Sequence, residues 1–294
     1  MKRRGKAMKE IPAHLLPTDA DVGQYRGNGF WVSKPLFSAD EIAVLRERHG
    51  AVIAGDYATS RPPYDRNIEP GAAIKALVKI DNSFWCDSTI ARHLINPVIG
   101  AIAAKLVGVR GIRLWHDQLL HKPPDTGAPG NVGWHQDHHY WQCAQPAELL
   151  TAWLALDDAT SANGCMQMVP GSHNWGLLDA SDFFEQDMEK LRDRMAAAAG
   201  REFAPVCVPV PAGAVSFHHC LTIHGSGPNK TDKARRAWAI HLMPDGTRYK
   251  AGTPADPHMN VRLLGGLDGD AFTGPWFPLL YSENPPGNAW ETAG

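Results

Sequence analysis

The pattern of apolar and polar residues divides the chain into two parts. Apart from a short extended segment, "GFWVSKPLF", residues 20–110 show apolar positions at helical spacing. One helix is predicted to begin after Ser38, which forms a capping box with Glu41 in "SADE". A second helix is predicted over "NPVIGAIAAKLVG", with Asn96 as its N-cap and Gly108 at its end. This part is therefore predicted to be a mainly helical buttress.

From residue 111 onwards the pattern changes to short alternating runs separated by glycine and proline. The strand candidates are "GIRLWHDQLLHKPP", "LLTAWLALDD", "CMQMVPGS", "FAPVCVPV", "GAVSFHHCLTIHGSG" and "RRAWAIHLMP". Short strands with turn residues between them predict a sandwich or jelly roll over residues 111–250. Residues 251–294 predict an irregular C-terminal wrap. We expect residues 1–294 to form one domain that is mainly β with flanking helices, in the α+β class.

One helix is predicted to interrupt the strands over residues 180–199. Asp179 or Ser181 would cap this helix and Gly200 would end it. Its apolar face would consist of Phe184, Met188, Leu191 and Met195.

Composition narrows the class of protein. The 294 residues are 44% hydrophobic and carry a formal net charge of −2, which predicts a sizeable core and argues against nucleic acid as a partner. The basic run "MKRRGKAMK" is interpreted as a solvated tail, and no membrane span is expected. The five cysteines are scattered and form no C-x-x-C motif, which is typical of a reducing cytoplasm.

The stretch "GNVGWHQDHHYWQ" concentrates candidate metal ligands. His135 and Asp137 form an H-x-D motif, and strand alternation would point both side chains to one face. Among 14 histidines and 31 acidic residues such a motif is expected by chance, so a surface pair of Asp and His is an equally good interpretation. With a second histidine, the motif would form the two-His-one-carboxylate site that suits a divalent first-row metal.

Two positions compete for that second histidine. His224 is predicted to end an apolar strand just before a turn, which is a usual place for a residue that faces a cavity. His218 and His219 lie within the strand and are interpreted as packing or supporting groups. Arg235 begins the strand "RRAWAIHLM" eleven residues after His224 and shares a face with small residues. A guanidinium on such a face leaves room for a ligand carboxylate.

Taken together, these motifs resemble the phytanoyl-CoA hydroxylase family of Fe(II)- and 2-oxoglutarate-dependent dioxygenases. The resemblance rests on "YRGNGFWVSKPLFSADEIAVLR", "HKPPDTG", "WHQDHHYW", "AWLALDDATSANGCMQMVPGSH" and "HGSGPNKTDKARR", in the family's order. It implies a double-stranded β-helix, a cupin-like jelly roll of two sheets with helices against the larger one. It also implies that His135, Asp137 and His224 bind Fe(II).

The same resemblance implies a set of cosubstrate-binding residues. Arg235 corresponds to the arginine that holds the far carboxylate of 2-oxoglutarate, and Ser226 to the hydroxyl that assists it. Trp153 matches the family's tryptophan eighteen residues after the first ligand. Gln118 stands where the family usually has an apolar residue that lines the cosubstrate site. Lys79 in "LVKID" stands where relatives have a lysine that contacts the cosubstrate.

The activity that the resemblance implies is oxidation with Fe(II), 2-oxoglutarate and O₂, with release of succinate and CO₂. An unactivated C–H bond of a small molecule or specialised metabolite would be hydroxylated. Desaturation, epoxidation and ring closure remain alternatives, whereas Asp137 argues against the related halogenases, which have a small residue there. His139, Tyr140 and Trp141 are predicted to line the substrate mouth, although packing of their rings is a competing interpretation. The helix at residues 180–199 is predicted to cover the site, and an ordinary surface helix with a buried Phe-Met face is the competing interpretation.

Three other functions compete with this one. An acyl-CoA hydroxylase would need a basic mouth, for which Lys230, Lys233 and Arg236 are slight evidence. A cupin-like hydrolase or isomerase would use the triad without 2-oxoglutarate, and a carboxylate anchor at Arg235 argues against it. An inactive binding module would not need an intact triad. The sequence does not indicate an oligomeric state.

Overall fold

The computed structural model describes residues 11–284, which form a mainly β structure with flanking helices. The helices are α1 (Asp19–Asn28), α2 (Ala39–Ala54), α3 (Ser88–Leu94), α4 (Pro97–Val107), α5 (Met188–Ala199) and α6 (Met259–Leu264). The strands are β1 (Phe30–Val32), β2 (Asp65–Arg66), β3 (Val78–Asp81), β4 (Gly111–Lys122), β5 (Val132–His135), β6 (Ala144–Gln145), β7 (Leu150–Ala155), β8 (Met166–Met168), β9 (Val206–Val208), β10 (Val215–His219), β11 (His224–Ser226), β12 (Arg235–Pro244), β13 (Arg248–Tyr249) and β14 (Leu279–Ser282). The basic run at the N-terminus lies outside the described residues.

Two antiparallel sheets face each other. The larger has the order β1-β10-β7-β12-β4-β3-β2, with β14 also paired to β4, and the smaller has the order β5-β11-β8-β9. One buried cluster draws residues from both sheets, among them Trp153, Ala237, Ala239, Met166, Met168 and Val208. The space between the sheets is therefore the place where side chains from both sheets meet.

The predicted N-terminal helices are confirmed, and their caps form as expected. Ser38 N donates to the Glu41 carboxylate at 2.8 Å, and Glu41 N donates to Ser38 Oγ at 3.3 Å. Val98 N donates to Asn96 Oδ1 at 2.9 Å, and Gly108 ends α4 in the left-handed conformation. The buried faces of α2 and α4 join a core cluster with apolar residues of β12. These helices cover the outer face of the larger sheet.

Strand β12 alternates as predicted and so separates the two sides of the larger sheet. Trp238 and Ile240 pack in the cluster under the helices, whereas Ala237 and Ala239 pack between the sheets. Small side chains on the inner face leave room for a cavity.

The segment Ser88–Val107 has the length and composition of a membrane span, contrary to the expectation from sequence. In the fold it comprises α3 and α4, with half of the apolar window buried inside the protein. Packing in the core under the larger sheet is enough to account for its apolar character.

Two predicted segments differ from the structure. The inserted helix begins at Met188 rather than at residue 180, because Asp187 accepts a hydrogen bond from Lys190 N and caps it there. Asp182 instead closes a local turn by accepting from Phe184 N, and Phe184 is 64% exposed. The C-terminal segment is also not wholly irregular. It contains α6 and β14, which pairs with β4 and so extends the larger sheet.

Candidate metal and cosubstrate site

The three predicted metal ligands converge between the two sheets. His135 ends β5 and His224 begins β11, and the two residues are direct partners in the antiparallel ladder. Their Nε2 atoms lie 3.4 and 3.7 Å from Oδ1 of Asp137, and all three candidate ligand atoms are within 4.8 Å of one another. Ligands that bind one ion at about 2.0–2.2 Å are themselves about 3–4 Å apart. The spacing therefore fits a single ion.

Backbone carbonyl groups orient both imidazoles. Nδ1 of His135 lies 2.8 Å from Gly133 O, and Nδ1 of His224 lies 3.0 Å from Thr222 O. Because a carbonyl oxygen only accepts, each Nδ1 carries the proton and each Nε2 keeps its lone pair for a metal. Burial, followed by the nearby imidazoles of His135 and His218, lowers the pKa of His224 well below its usual value. His224 is therefore neutral, as a metal ligand must be.

Asp137 uses its two oxygens differently. Oδ2 accepts a hydrogen bond from Thr151 Oγ1 at 2.7 Å and lies 3.3 Å from Nε2 of His218, which leaves Oδ1 for a metal. Burial opposes ionisation, but the imidazoles of His224, His135 and His218 hold the pKa of Asp137 well below its usual value. Two imidazole nitrogens and one carboxylate are a donor set that suits Fe(II).

The local structure of these ligands differs from the prediction. "GAVSFHHCLTIHGSG" forms two strands in different sheets, β10 and β11, so His224 begins a strand rather than ending one. A turn in which Thr222 N donates to His219 O separates the two strands. Asp137 lies in the 3₁₀ turn Asp137–His139, not on a strand. The extended Gln136 turns away as predicted, and its amide donates to two backbone carbonyls at 2.8 Å.

The predicted cosubstrate residues Arg235, Ser226 and Trp153 lie together beside a lysine. The Arg235 guanidinium is 5.1 Å from the centre of the Trp153 ring and donates to Gly164 O at 3.2 Å. Lys122, in the quoted "HKPP" motif, is fully buried and donates to Ser226 Oγ at 2.7 Å. Nothing in the sequence pattern indicates a role for Lys122.

These two buried basic side chains have no carboxylate partner within the part of the chain that the structure describes. Neither Arg235 nor Lys122 forms an ion pair with a described carboxylate, and Nε of Arg235 has no hydrogen-bond partner there. Burial lowers the pKa of Arg235 only to about 10, so it stays charged at neutral pH. Since buried charges are normally paired, this arrangement indicates an anionic ligand.

A cavity of about 590 Å³ connects these groups. Its walls include all the residues predicted for metal and cosubstrate, namely His135, Asp137, His224, Arg235, Ser226, Trp153, Gln118 and Lys79. Lys79 is not free, because its ammonium group donates to Asp81. Gln118 is the cross-strand partner of Ala239 on the inner face of the larger sheet. The structure therefore brings all of these residues to one place.

The predicted substrate residues His139, Tyr140 and Trp141 also line the cavity. The 3₁₀ turn, rather than strand alternation, brings His139 there. Tyr140 accepts a hydrogen bond from Phe183 N at 2.8 Å and so holds the loop before α5 at the cavity. The ring of Phe183 is 5.2 Å from that of His135. The loop, and not the helix itself, is thus the nearest cover over the metal triad.

Other candidates from the sequence lie elsewhere. His219 does not line the cavity at the metal triad, and its Nε2 is 3.7 Å from the carboxylate of Glu148. His218, by contrast, is buried at the metal triad, as a supporting group would be. The proposed basic mouth does not form, since the described lining includes neither Lys230, Lys233 nor Arg236. Arg236 instead pairs with Asp157 through two hydrogen bonds at 2.8 Å.

Comparison with known proteins gives a consistent picture. The sequence profile of the family "Phytanoyl-CoA dioxygenase (PhyH)" matches residues 25–237. The peroxisomal phytanoyl-CoA dioxygenase of Mus musculus is 30% identical over 239 residues, which cover 74% of this chain and 66% of the mouse protein. A probable alpha-ketoglutarate-dependent hypophosphite dioxygenase of Stutzerimonas stutzeri is 28% identical over 220 residues, covering 72% of this chain and 74% of that protein.

Among solved structures, the chain is similar to the non-heme alpha ketoglutarate dependent carbocyclase SnoK from nogalamycin biosynthesis. The TM-score is 0.70 at 25% sequence identity, and the match covers 90% of this chain and 96% of SnoK.

Proposed function

This chain belongs to the phytanoyl-CoA dioxygenase family, and on that premise we propose that it is a non-haem Fe(II)- and 2-oxoglutarate-dependent oxygenase. We further infer that its two facing sheets are the halves of a double-stranded β-helix, with the metal site between them. The single observation that carries the proposal is the convergence of His135, Asp137 and His224 in a cavity that is also lined by Arg235, a buried arginine with no carboxylate partner among residues 11–284.

The protein's part in metal binding follows from the geometry. Nε2 of His135, Oδ1 of Asp137 and Nε2 of His224 would hold Fe(II) on one side, and the cavity would leave its other side open. When bound, iron, 2-oxoglutarate and O₂ supply the oxidising chemistry, in which 2-oxoglutarate becomes succinate and CO₂ and the substrate is oxidised. The two carbonyl groups that bond the Nδ1 atoms keep the imidazoles in the tautomer that this binding needs.

The end of the cavity that is lined by Arg235 and Ser226 would bind 2-oxoglutarate. Arg235 would take the far carboxylate through its guanidinium, as such forks do with carboxylates. Lys122 donates to the oxygen of Ser226, which leaves the hydroxyl proton of Ser226 free to donate to the same carboxylate. Trp153 packs against the guanidinium and limits its movement.

The substrate would be a small molecule that enters past His139, Tyr140 and Trp141. The loop containing Phe183 would cover it, and closing this loop would exclude water from the metal triad. Hydroxylation is the reaction that we propose first, since Asp137 supplies the acidic ligand.

Measuring succinate formed from 2-oxoglutarate tests this proposal. Purified protein treated with a chelator should be inactive, and Fe(II) should restore succinate release where Zn(II) does not. His224→Ala should abolish release, because it removes one of three ligands, whereas His93→Ala on α3 should leave it unchanged.

The same assay separates the alternatives. A hydrolase or isomerase with the same triad would bind metal without needing 2-oxoglutarate. A binding module would release no succinate under any condition. Metal-independent turnover, or full activity in His224→Ala, would contradict the proposed function.

A further inference from the structure

Beyond the metal triad, the cavity is lined by histidines that the proposed reaction does not use. On the larger sheet, Thr151 of β7 is the cross-strand partner of His241 on β12, and His241 is in turn the partner of His116 on β4. The rings of His116 and His241 are 4.5 Å apart, and the ring of His258 is 5.7 Å from that of His116. All three line the cavity. We call His116, His241 and His258 the histidine row.

The histidine row is distant from the cosubstrate end. His241 and Arg235 are six residues apart on β12, which at about 3.4 Å per residue is about 20 Å along the strand. The row meets the metal triad through Thr151, which bonds Asp137. A molecule bound at the row would therefore lie next to the metal without competing for the carboxylate anchor.

Hydrogen bonding fixes the tautomer of His241. Thr151 Oγ1 donates its one proton to Asp137 Oδ2, because a carboxylate only accepts. Nδ1 of His241, 2.8 Å from the same hydroxyl oxygen, must then donate to that oxygen. In the neutral imidazole Nε2 is left as an acceptor, and it is buried without a partner among residues 11–284.

His116 offers further unused hydrogen-bonding capacity. It is 2% exposed, and neither ring nitrogen has a partner among the described residues. A buried polar group left unpaired costs about 1–3 kcal/mol, and native structures rarely tolerate it. Burial, followed by nearby histidines, lowers the pKa of His116 well below its usual value, and burial lowers that of His241 to about 3. Both rings are therefore neutral, and each offers hydrogen bonds suited to hydroxyl groups.

The charged residues at this end of the cavity are paired within the protein, although Oδ1 of Asp81 has no hydrogen-bond partner among the described residues. Lys79 donates to Asp81, and Asp256 accepts hydrogen bonds from Tyr249 and Gly252. Near the row, within the described lining, a ligand carboxylate or phosphate group would find only a lysine that is already paired, and an ammonium group would find only a carboxylate that already pairs with Lys79. Burying such a group there would be unfavourable. The Trp141 ring, 4.7 Å from that of His241, offers an apolar surface for a flat or cyclic ligand.

Resting on the proposed function, we propose that the histidine row binds the substrate, and that this substrate is an uncharged, hydroxyl-bearing ring compound. One hydroxyl donates to Nε2 of His241, His116 bonds a second, and the ring packs against Trp141. An acyl-CoA or another polyanion does not match this end of the cavity.

Binding measurements with matched probes test the inference. The protein is loaded with Zn(II) and 2-oxoglutarate, so that no turnover occurs, and titrated calorimetrically with 4-nitrophenyl β-glucoside, the corresponding glucuronide and the corresponding glucosaminide. A panel of uncharged hydroxylated carbocycles and phenols covers other ring shapes. We expect the uncharged compounds to bind at least about tenfold more tightly than charged analogues of the same shape. His241→Phe should remove that preference and leave 2-oxoglutarate binding intact.

His121→Phe is the matched control, because His121 lies on the same strand as His116 but packs against His49 on the helical side. Nitrogen-15 NMR of the imidazoles, with His241 assigned by its loss in His241→Phe, should show its proton on Nδ1. A proton on Nε2, charged analogues binding as tightly as uncharged ones, or no binder in the uncharged panel would overturn the inference. If the wild-type protein does not bind 2-oxoglutarate, that result would instead count against the proposed function.

Discussion

At the scale of single residues, Lys122 is the group whose position most needs an explanation. Its ammonium group is buried beside the charged Arg235, and burial, followed by that arginine, lowers the pKa of Lys122 well below its usual value. A positive charge on Lys122 beside Arg235 is therefore unfavourable unless an anion joins them. A dicarboxylate cosubstrate supplies that anion, and Lys122 would position Ser226 for it.

Replacing Lys122 with methionine should weaken 2-oxoglutarate binding. The variant keeps the length of the side chain but loses the hydrogen bonds to Ser226 Oγ and Gly227 O. This loss corresponds to about a tenfold rise in the KM for 2-oxoglutarate. We expect kcat to change by less than about twofold, since Lys122 does not touch the metal ligands. Steady-state succinate assays give both constants. Lys105→Met, at an exposed position of α4, is the control, and an unchanged KM in Lys122→Met would refute the role.

At the scale of elements, the turn at Gly164 is a connection on which the cosubstrate end depends. Gly164 has φ of +74°, and its carbonyl accepts from Arg235. A Cβ added there would lie 2.5 Å from Gly227 O, on the segment that follows Ser226. The turn therefore packs directly against two parts of the carboxylate-binding region.

Gly164→Ala should destabilise the protein more than the same substitution at a glycine that has a similar backbone conformation but has open space around an added Cβ. Gly71, with φ of +76° and no atom within 4 Å of an added Cβ, supplies that control. Gly71→Ala should cost about 1–2 kcal/mol for the left-handed conformation alone. Gly164→Ala should cost about 1–3 kcal/mol more, because backbone atoms must move. Urea unfolding measures both, and equal losses would show that the contact with Gly227 is unimportant.

The start of a helix can be predicted from sequence when neighbouring residues alone determine its cap. The caps at Ser38 and Asn96 are set by neighbouring residues, so the starts of α2 and α4 could be predicted from sequence. The start of α5 could not, because Asp179, Ser181 and Asp187 are all cap-forming residue types and only tertiary packing selects Asp187.

The residues of the site fall into the same two groups, those with a local sequence signal and those without one. The H-x-D motif identified His135 and Asp137, and strand alternation placed Arg235 on the inner face. Strand β11 is three residues long and exists through pairing with β5 and β8, which no local pattern reveals. The hydrogen bond of Lys122 to Ser226 joins residues 104 positions apart, so its role is visible only in the folded structure.

At the scale of the whole molecule, the burial of neutral histidines links stability to pH. Burial is the main cause that lowers the pKa of each of these groups: to about 3 for His49 and His241, and to about 4 for His121 and His258. In the unfolded chain these groups titrate near 6.5. Below that pH the unfolded state binds more protons than the folded state, so the free energy of unfolding falls as pH falls. Asp117, with its pKa raised by burial to about 7, and Asp81, whose pKa burial also raises, act in the opposite direction but are two groups against the four histidines.

The urea midpoint of chelator-treated protein should therefore fall between pH 7.5 and pH 5.5. Metal is removed so that ligand protonation and metal release do not contribute. His49→Gln should reduce the dependence on pH, by at most about 1.4 kcal/mol per pH unit for the one proton involved, whereas exposed His14→Gln should not. A midpoint that rises on acidification would show that these histidines are protonated in the folded state.

The most direct measurement is anomalous diffraction from crystals grown without oxygen in the presence of Mn(II) and 2-oxoglutarate. We predict one strong manganese peak, about 2.0–2.3 Å from Nε2 of His135, Oδ1 of Asp137 and Nε2 of His224. Electron density for 2-oxoglutarate should extend from that peak to the guanidinium of Arg235. A peak bound elsewhere, for example at His116 and His241, or a dicarboxylate that does not reach Arg235, would contradict the account.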